Sequence, residues 1–210
     1  MNRQDIIDNA NSVISEFASC ISNVQITESF PLAVELMLQC MNSNGKIVSS
    51  GVGKAGIAME KYSAILRSFG MPSVYLDPCS AQHGDLGILS TNDILFIAST
   101  SGKTSEILKL IDLSRNIGVK NIIGITSHLD SPIRDKVDVV IDMGIIKEAG
   151  YLSLAPTSSI LVMMAICDCL ALSCAREKEV TFDDYSKYHH SGYLGQLARS
   201  KSSSSSYDKK

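Results

Sequence analysis

Apolar residues follow two different spacings along the chain. In the N-terminal part they recur at helical spacing, which predicts amphipathic helices over residues 3–22 and 29–43. After that they form short continuous runs of strand length, separated by stretches with helical spacing. Such alternation favours an α/β domain built on a doubly wound parallel sheet. Strands are predicted over residues 46–48, 73–76, 94–98, 121–126 and 137–143, and later helices over residues 57–69, from residue 104 to about 118, and from Pro156 onward.

The most apolar stretch, residues 160–175, is shorter than a membrane span and contains Asp168. Both features favour a buried helix, in the core or at a subunit interface, and no membrane association is expected. The C-terminal run of serines that ends in two lysines is of low complexity, so residues 201–210 are predicted to be a disordered tail. We therefore expect one domain over residues 1–200, with residues 1–44 as its N-terminal helices.

A glycine-rich turn connects the first predicted strand to the helix that follows. Its sequence is Gly51-x-Gly53-x-x-Gly56 with Lys54 inside it. Backbone N–H groups in such a turn approach an anion closely, and the helix N-terminus and the lysine add positive charge. The turn therefore predicts a phosphate site. Its spacing is also that of a dinucleotide-binding motif, with Asp77 near the position of the expected acidic residue. A tight turn that binds nothing is the third interpretation.

The third predicted strand runs directly into Ser99-Thr100-Ser101-Gly102-Lys103-Thr104, a second candidate anion site. An ordinary Ser/Thr helix cap needs one hydroxyl group, whereas this segment has four. Hydroxyls and amides at the start of a helix can surround a phosphate without arginine. Loops at the carboxyl ends of parallel strands meet at one edge of the sheet. Both segments together predict one pocket for a phosphomonoester, formed by Ser50, Gly51, Gly53, Ser99, Ser101 and Thr104.

Composition excludes several classes of protein. The formal net charge is −3, so there is no basic surplus and no nucleic-acid partner is expected. The six cysteines show no paired CxxC spacing and no signal peptide is recognised, which favours reduced thiols and a cytoplasmic location. Cys167 and Cys169 would point to different faces of their helix, so no metal site is predicted there.

Taken in their order, these motifs resemble the sugar isomerase (SIS) domain family. The resemblance covers about residues 30–197. It rests on the glycine-rich turn and on four further motifs: His83-Gly84-Asp85-Leu86-Gly87, residues 99–107, Lys147-Glu148-Ala149 and Leu154-Ala155-Pro156-Thr157-Ser158-Ser159. Within the family the chain is most similar to the D-arabinose 5-phosphate isomerases of bacterial lipopolysaccharide and capsule synthesis.

The resemblance implies a three-layer αβα sandwich on a five-stranded, flavodoxin-like parallel sheet. It also implies reversible interconversion of D-ribulose 5-phosphate and D-arabinose 5-phosphate, without a cofactor, by a cytoplasmic homo-oligomer that is usually a tetramer. Many members carry a C-terminal pair of CBS domains, so this chain looks like a short form of the family.

Matched by motif position, the family's catalytic set falls on Lys54, Glu106, Glu148 and His189, with His83 in the substrate site. Aldose–ketose isomerisation moves a proton between C1 and C2 through an enediol(ate), which needs a general base and stabilisation of negative charge. Glu148 is the candidate base or acid, and His83 or His189 would open the ring or move a hydroxyl proton. Lys54 would hold the phosphate or polarise the oxygen, and Glu106 would orient a hydroxyl or Lys54. In the family the C-terminal histidine reaches a neighbouring subunit's pocket.

Some positions depart from the family pattern. Asp77 replaces a histidine that is linked to inhibitory zinc, Lys103 replaces an acidic residue, and residues 150–151 and 190–191 also differ. Three alternatives therefore stay open: an isomerase for another sugar phosphate, a catalytically silent phosphosugar sensor, and a nucleotide-binding oxidoreductase. From the residues alone, Glu106 could simply favour its helix N-terminus, Glu148 could belong to a solvated surface pair, and His189 could lie in a polar turn.

Overall fold

The computed structural model describes residues 2–205 as helices and strands that alternate through most of the chain. Two helices, α1 (Arg3–Ser22) and α2 (Ser29–Asn42), come first. The strands are β1 (Ile47–Gly51), β2 (Ser73–Tyr75), β3 (Ile94–Ala98), β4 (Asn121–Thr126) and β5 (Val139–Asp142). The later helices are α3 (Lys54–Ser68), α4 (Pro78–Ala81), α5 (Ser105–Asn116), α6 (Ser158–Glu177), α7 (Phe182–Tyr188) and α8 (Gly192–Ser205). Short 3-10 helices lie at Asp85–Ile88 and Pro132–Asp135.

All neighbouring strands pair in parallel, in the order β2-β1-β3-β4-β5. The order reverses direction between β1 and β3, which is where doubly wound sheets bind ligands. Gly51 lies opposite Ala98 in the β1–β3 pairing, so the two strands end at the same level. The segments that follow them, which contain the two predicted anion loops, therefore leave the sheet side by side.

Helices cover both faces of this sheet. Alternate strand residues point to opposite faces. Phe96 therefore packs with helices α2, α3 and α6, whereas Leu95 packs with α5. Both interfaces between the sheet and the helices exclude solvent. Met37, Tyr62 and Ile166 on one side and Ile107 and Leu110 on the other are almost completely buried. The predicted three-layer sandwich on a five-stranded parallel sheet is confirmed.

Helices α3 and α6 lie side by side and run in the same direction. Lys61 of α3 pairs with Asp168 of α6 halfway along. At the far ends of the two helices, Phe69 and Val180 line the same cavity. Because α3 begins at the carboxyl edge of the sheet, α6 also begins near that edge. The length and composition of α6 would allow it to cross a membrane, but ten of its residues are buried in the core, as the sequence analysis expected of this helix.

Several boundaries differ from the predictions. Strand β1 continues through Gly51, and α3 already begins at Lys54, because the glycines allow the strand and the helix to approach closely. Beyond α6, residues from 182 onward form α7 and α8, and Thr181 and Asp184 begin α7 as a reciprocal capping box. Helix α8 continues to Ser205, and the disordered tail predicted over residues 201–210 stays a prediction. Residues 206–210 lie outside the described part.

Asp93 ties the beginnings of β1 and β3 together. Its carboxylate, buried within the described fold, accepts hydrogen bonds from Lys46 N at 2.9 Å, Lys46 Nζ at 2.6 Å and Ser90 N at 2.8 Å. Burial alone would raise the pKa of Asp93, but the hydrogen bonds from Lys46 and Ser90 outweigh it and hold the pKa below its usual value. The Asp93 carboxylate, which connects the beginnings of both strands, is therefore charged near neutral pH.

We expect Asp93→Ala to lower the free energy of unfolding by about 2–3 kcal/mol at pH 7, because buried donors lose their partner. A depressed folded-state pKa stabilises the protein above the unfolded-state value, about 3.9, and that contribution is lost as the pH falls through the folded-state pKa. Urea unfolding at several values between pH 2 and pH 7 measures both effects. The exposed Asp135→Ala is the control, and an Asp93 variant as stable as this control would contradict the assignment.

Candidate functional site

The β1–α3 turn brings backbone amides to the carboxyl edge of the sheet. A Cβ atom on Gly51 would lie 2.8 Å from the carbonyl carbon of Ala55, and one on Gly56 would lie 2.7 Å from Gly51 O. These two glycines therefore allow the strand and the helix to touch. Gly53 has φ of +60° and precedes α3 without a side-chain cap. The first N–H groups of α3 are thus left for a ligand, beside the exposed side chain of Lys54.

The β3–α5 loop leaves a second helix N-terminus uncapped. Thr104 stands at the N-cap of α5, but its side chain makes no capping hydrogen bond. Its Oγ1 instead lies 2.9 Å from Ser99 Oγ, which also accepts the Gly102 N–H at 3.0 Å. An ordinary Ser/Thr cap therefore does not explain this loop. Ser99 and Thr104 shape the loop, whereas Ser101 Oγ accepts the Lys103 N–H at 3.2 Å and can still donate its own hydrogen.

Ser50 points into the interior without a partner. Its Oγ is buried and makes no hydrogen bond within the described residues. The neighbouring Ser49 Oγ, on the other face of β1, bonds Met59 O at 2.8 Å and Ser63 Oγ at 2.9 Å. A buried hydroxyl group without a partner costs free energy, so such a group at a strand end suits a site that a ligand completes.

Glu148 binds the beginning of α6. Its Oε2 accepts hydrogen bonds from Thr157 N at 2.7 Å, Ser159 N at 3.2 Å and Thr157 Oγ1 at 3.3 Å. Partial burial acts to raise the pKa of Glu148, but the hydrogen bonds from Ser159 and Thr157 outweigh it and hold the pKa below its usual value. Glu148 is therefore a carboxylate at neutral pH, half-buried at the N-terminus of the helix that packs on α3, and it has no cationic surface partner among the described residues.

Glu106 and His83 also lie at the carboxyl edge. Glu106 is in the first turn of α5, where its own backbone N–H and the Ser105 hydroxyl lower its pKa. His83 is exposed and follows α4, in the segment after β2. Asp77, which the dinucleotide interpretation required, caps α4 by accepting the N–H groups of Cys79 and Ser80.

His189 lies at the opposite end of the domain. Its ring stacks on Tyr185 at 4.0 Å, and the Tyr185 ring lies 5.7 Å from that of Phe69. Phe69 ends α3, whereas Lys54 begins it, about 22 Å away along a helix of this length. The structure thus brings the other predicted catalytic residues to one edge but leaves His189 at the other.

Two cavities among the described residues lie away from the two predicted anion loops. The larger, about 750 Å³, is apolar and lies beside Phe69 and Tyr185. The smaller, about 320 Å³, lies at the end of β2 beside Tyr75, Asp77 and Asp85. A phosphoryl group held by amides needs little enclosed volume, so donor geometry identifies the site better than cavity size. No group of three potential metal ligands occurs in residues 2–205.

Sequence reasoning missed Tyr75. Its hydroxyl donates a hydrogen bond to Gly51 O at 2.8 Å, and a Cβ on Gly56 would meet that hydroxyl oxygen. Burial, with Asp77 and Glu60 nearby, raises the pKa of Tyr75 to about 12, so it stays a donor. Nothing in the sequence signals this contact, because it spans 24 residues and depends on the β1–β2 pairing.

The comparisons with known proteins identify the class. The model of the SIS domain family matches residues 40–173, so the chain belongs to this family. Curated relatives include arabinose 5-phosphate isomerase KpsF of Escherichia coli, 40% identical over 155 residues, with 74% of this chain and 49% of the relative covered. Arabinose 5-phosphate isomerase KdsD of Pseudomonas aeruginosa is 33% identical, with 91% and 58% covered. The chain spans about half the length of the curated relatives it matches.

Two solved structures agree with this assignment. A protein of Bacteroides fragilis NCTC 9343, described as a candidate phosphosugar isomerase involved in capsule formation, is 39% identical. Its TM-score is 0.87, and 90% of this chain and 99% of that one are covered. The Escherichia coli CFT073 protein c3406, solved in complex with arabinose 5-phosphate, is 30% identical with a TM-score of 0.84, and the match covers 90% of this chain and 100% of that one.

Ser50→Ala should leave the free energy of unfolding unchanged or raise it by up to about 1 kcal/mol, because it removes a buried hydroxyl group that lacks a partner. It should weaken binding of inorganic phosphate. The adjacent Ser49→Ala should cost about 1–2 kcal/mol instead, because two hydrogen bonds are lost. Denaturant unfolding and calorimetric titration with phosphate distinguish the variants. Unchanged phosphate affinity in Ser50→Ala would exclude the predicted role of this hydroxyl.

Proposed function

We propose that this protein is an aldose–ketose isomerase that interconverts D-ribulose 5-phosphate and D-arabinose 5-phosphate. The observation that carries the proposal is the meeting of two uncapped helix N-termini, those of α3 and α5, at neighbouring strand ends. An ionised carboxylate, Glu148, stands at the start of the adjacent helix. Similarity to the KpsF and KdsD isomerases supports the choice of substrate.

In this proposal the phosphate sits between the two loops. The amides at the starts of α3 and α5, with the hydroxyls of Ser50 and Ser101, hold its oxygens, and Lys54 neutralises its charge. The phosphate is remote from the carbons that react, so these groups bind the substrate and position it.

Glu148 acts on the carbon end of the sugar. Starting from the aldose, the carboxylate takes the proton from C2, the C1 oxygen gains a proton and the 2-hydroxyl loses one. Return of the proton to C1 then gives the ketose. The lowered pKa of Glu148 keeps it ionised and ready to act as the base. His83 at the carboxyl edge serves ring opening or hydroxyl proton transfer, and Glu106 orients a hydroxyl group or Lys54.

The alternatives predict other outcomes in the same assay. A catalytically silent sensor would be stabilised by arabinose 5-phosphate without converting it. An isomerase for another sugar would bind phosphate and turn over a hexulose or heptulose phosphate instead. The oxidoreductase alternative would be stabilised by a nicotinamide dinucleotide and not by a sugar phosphate, and it would have to use an Asp77 carboxylate whose Oδ1 already caps α4.

Glu148→Gln should abolish turnover of ribulose 5-phosphate, a loss of about 100-fold or more, and with it hydrogen exchange at the sugar carbon. Affinity for phosphate should change little. Ser101→Ala should show the reverse, a raised KM with proton exchange retained. Product formation and exchange from deuterated water, followed by NMR, measure both.

Glu177→Gln, at the other end of α6, is the matched control for charge. Because Glu148 also caps α6, the melting temperature of each variant has to be compared at the same pH. A Glu148→Gln protein that folds and converts the substrate at the wild-type rate would refute the proposed base.

We propose further that the active protein is a homo-oligomer, most simply a tetramer, in the cytoplasm, and that it supplies lipopolysaccharide or capsule synthesis. Large apolar side chains are exposed on α1 (Ile6, Ile7, Ile14) and on the segment after β5 (Ile145, Tyr151). Such side chains support an interface between subunits. His189 is too far from Lys54 of its own subunit to share a site with it, so its proposed catalytic role requires a neighbouring copy.

Glu148→Gln and His189→Ala should each be inactive alone. Refolded together, they should recover up to about a quarter of wild-type activity, because random association places intact Glu148 beside intact His189 in that share of sites. Activity of the mixture, followed over time with its mass by light scattering, provides the measurement. An oligomer that forms but recovers nothing would exclude a site shared between subunits.

A further inference from the structure

The loop that follows β4 contacts the β3–α5 loop on the side away from β1. Thr100 O accepts hydrogen bonds from Ser127 N at 3.0 Å and from Thr126 Oγ1 at 3.2 Å. Gly102, with φ of +62°, packs so closely on Ser131 that a Cβ atom would lie 2.3 Å from the Ser131 Oγ. The β3–α5 loop is therefore already held in place by backbone contacts and close packing.

One further contact between these loops is an ion pair. Lys103 Nζ lies 2.8 Å from Asp130 Oδ2, and the lysine lowers the pKa of the Asp130 carboxyl. The two side chains are 50% and 75% exposed, so the pair adds little to folding stability. The notable feature is the side toward which Asp130 holds the Lys103 side chain. In the strand order, β4 lies on the side of β3 away from β1, so Asp130 draws the Lys103 ammonium group away from Lys54 and Ser50.

We propose that Asp130 and Lys103 form a charge-balanced pair that sets the phosphate affinity of the site, with Asp130 holding a second cation off the phosphate. This inference rests on the proposed function. A phosphate remote from the reacting carbons is bound equally in the ground state and the transition state. Extra positive charge near the phosphate therefore lowers KM without raising kcat, and it also makes the product bind more tightly.

The pair predicts opposite effects from its two members. Asp130→Asn frees the ammonium group, so the Kd for inorganic phosphate and for arabinose 5-phosphate should fall about threefold or more at low salt. Lys103→Gln leaves an unbalanced carboxylate, so both values should rise by a similar factor. The double variant should return to within about twofold of wild type, because the pair as a whole is neutral. All three shifts should shrink near 1 M salt.

Calorimetric titration at pH 8, where phosphate is a dianion, measures these constants. Asp112→Asn is the matched control, because it removes a carboxylate from another exposed ion pair, with Lys136, on the body of α5. Its phosphate affinity should equal that of the wild type. Turnover of arabinose 5-phosphate is measured on the same samples, and Asp130→Asn should lower KM while kcat does not rise.

The inference is overturned if both single variants weaken binding, which would make the pair a structural clamp. It is also overturned if Asp112→Asn reproduces the Asp130→Asn shift, or if neither probe binds. If arabinose 5-phosphate is turned over but the variants do not show the predicted order of Kd values, the inference fails and the isomerase proposal stands. If the Kd values follow the predicted order without turnover, the isomerase proposal fails and the inference about phosphate affinity stands.

Discussion

The parallel pairing of β1 with β3 is the constraint on which the candidate site depends. Because Gly51 lies opposite Ala98, the chain leaves both strands at one level, and α3 and α5 begin side by side. Both helices then begin without an N-cap side-chain bond, at the point where the strand order reverses. A shift by one residue would turn Ser50 toward α3, onto the other face of the sheet, and would separate the two loops.

Local donors take the place of overall charge at this site. The chain carries net charge −3, so a phosphate has to be attracted by groups close to it. In the proposed site, two helix N-termini and Lys54 supply that attraction, and Gly51, Gly53 and Gly56 give the backbone the close approach it needs. Tyr75 braces the turn from β2. At the opposite edge of the sheet, Asp93 connects the beginnings of β1 and β3. The strand pair that stabilises the fold therefore also positions the candidate site, where Tyr75 bonds Gly51.

The proposed acid–base groups lie at the two ends of the domain. Glu148 is held at the start of α6 by the N–H groups of Thr157 and Ser159, which keep it ionised. His189 stacks on Tyr185 near the end of α3. This separation links the proposed chemistry to the exposed apolar surface of α1 and of the segment after β5, because the proposed association of subunits would bury that surface and bring a distant histidine to a carboxylate.

Sequence alone was enough to predict the five strands, most helices and the positions of the two loops that follow β1 and β3, because apolar run length and the spacing of glycines and hydroxyls are local properties. Contacts between distant residues decided the rest. They include the capping of α4 by Asp77 in place of a nucleotide contact, the bond between Tyr75 and Gly51, and the distance of His189 from Lys54. Strand order belongs to the same class, since it depends on which apolar faces pack together across the sheet. Tertiary structure therefore determined which of the predicted residues can act together.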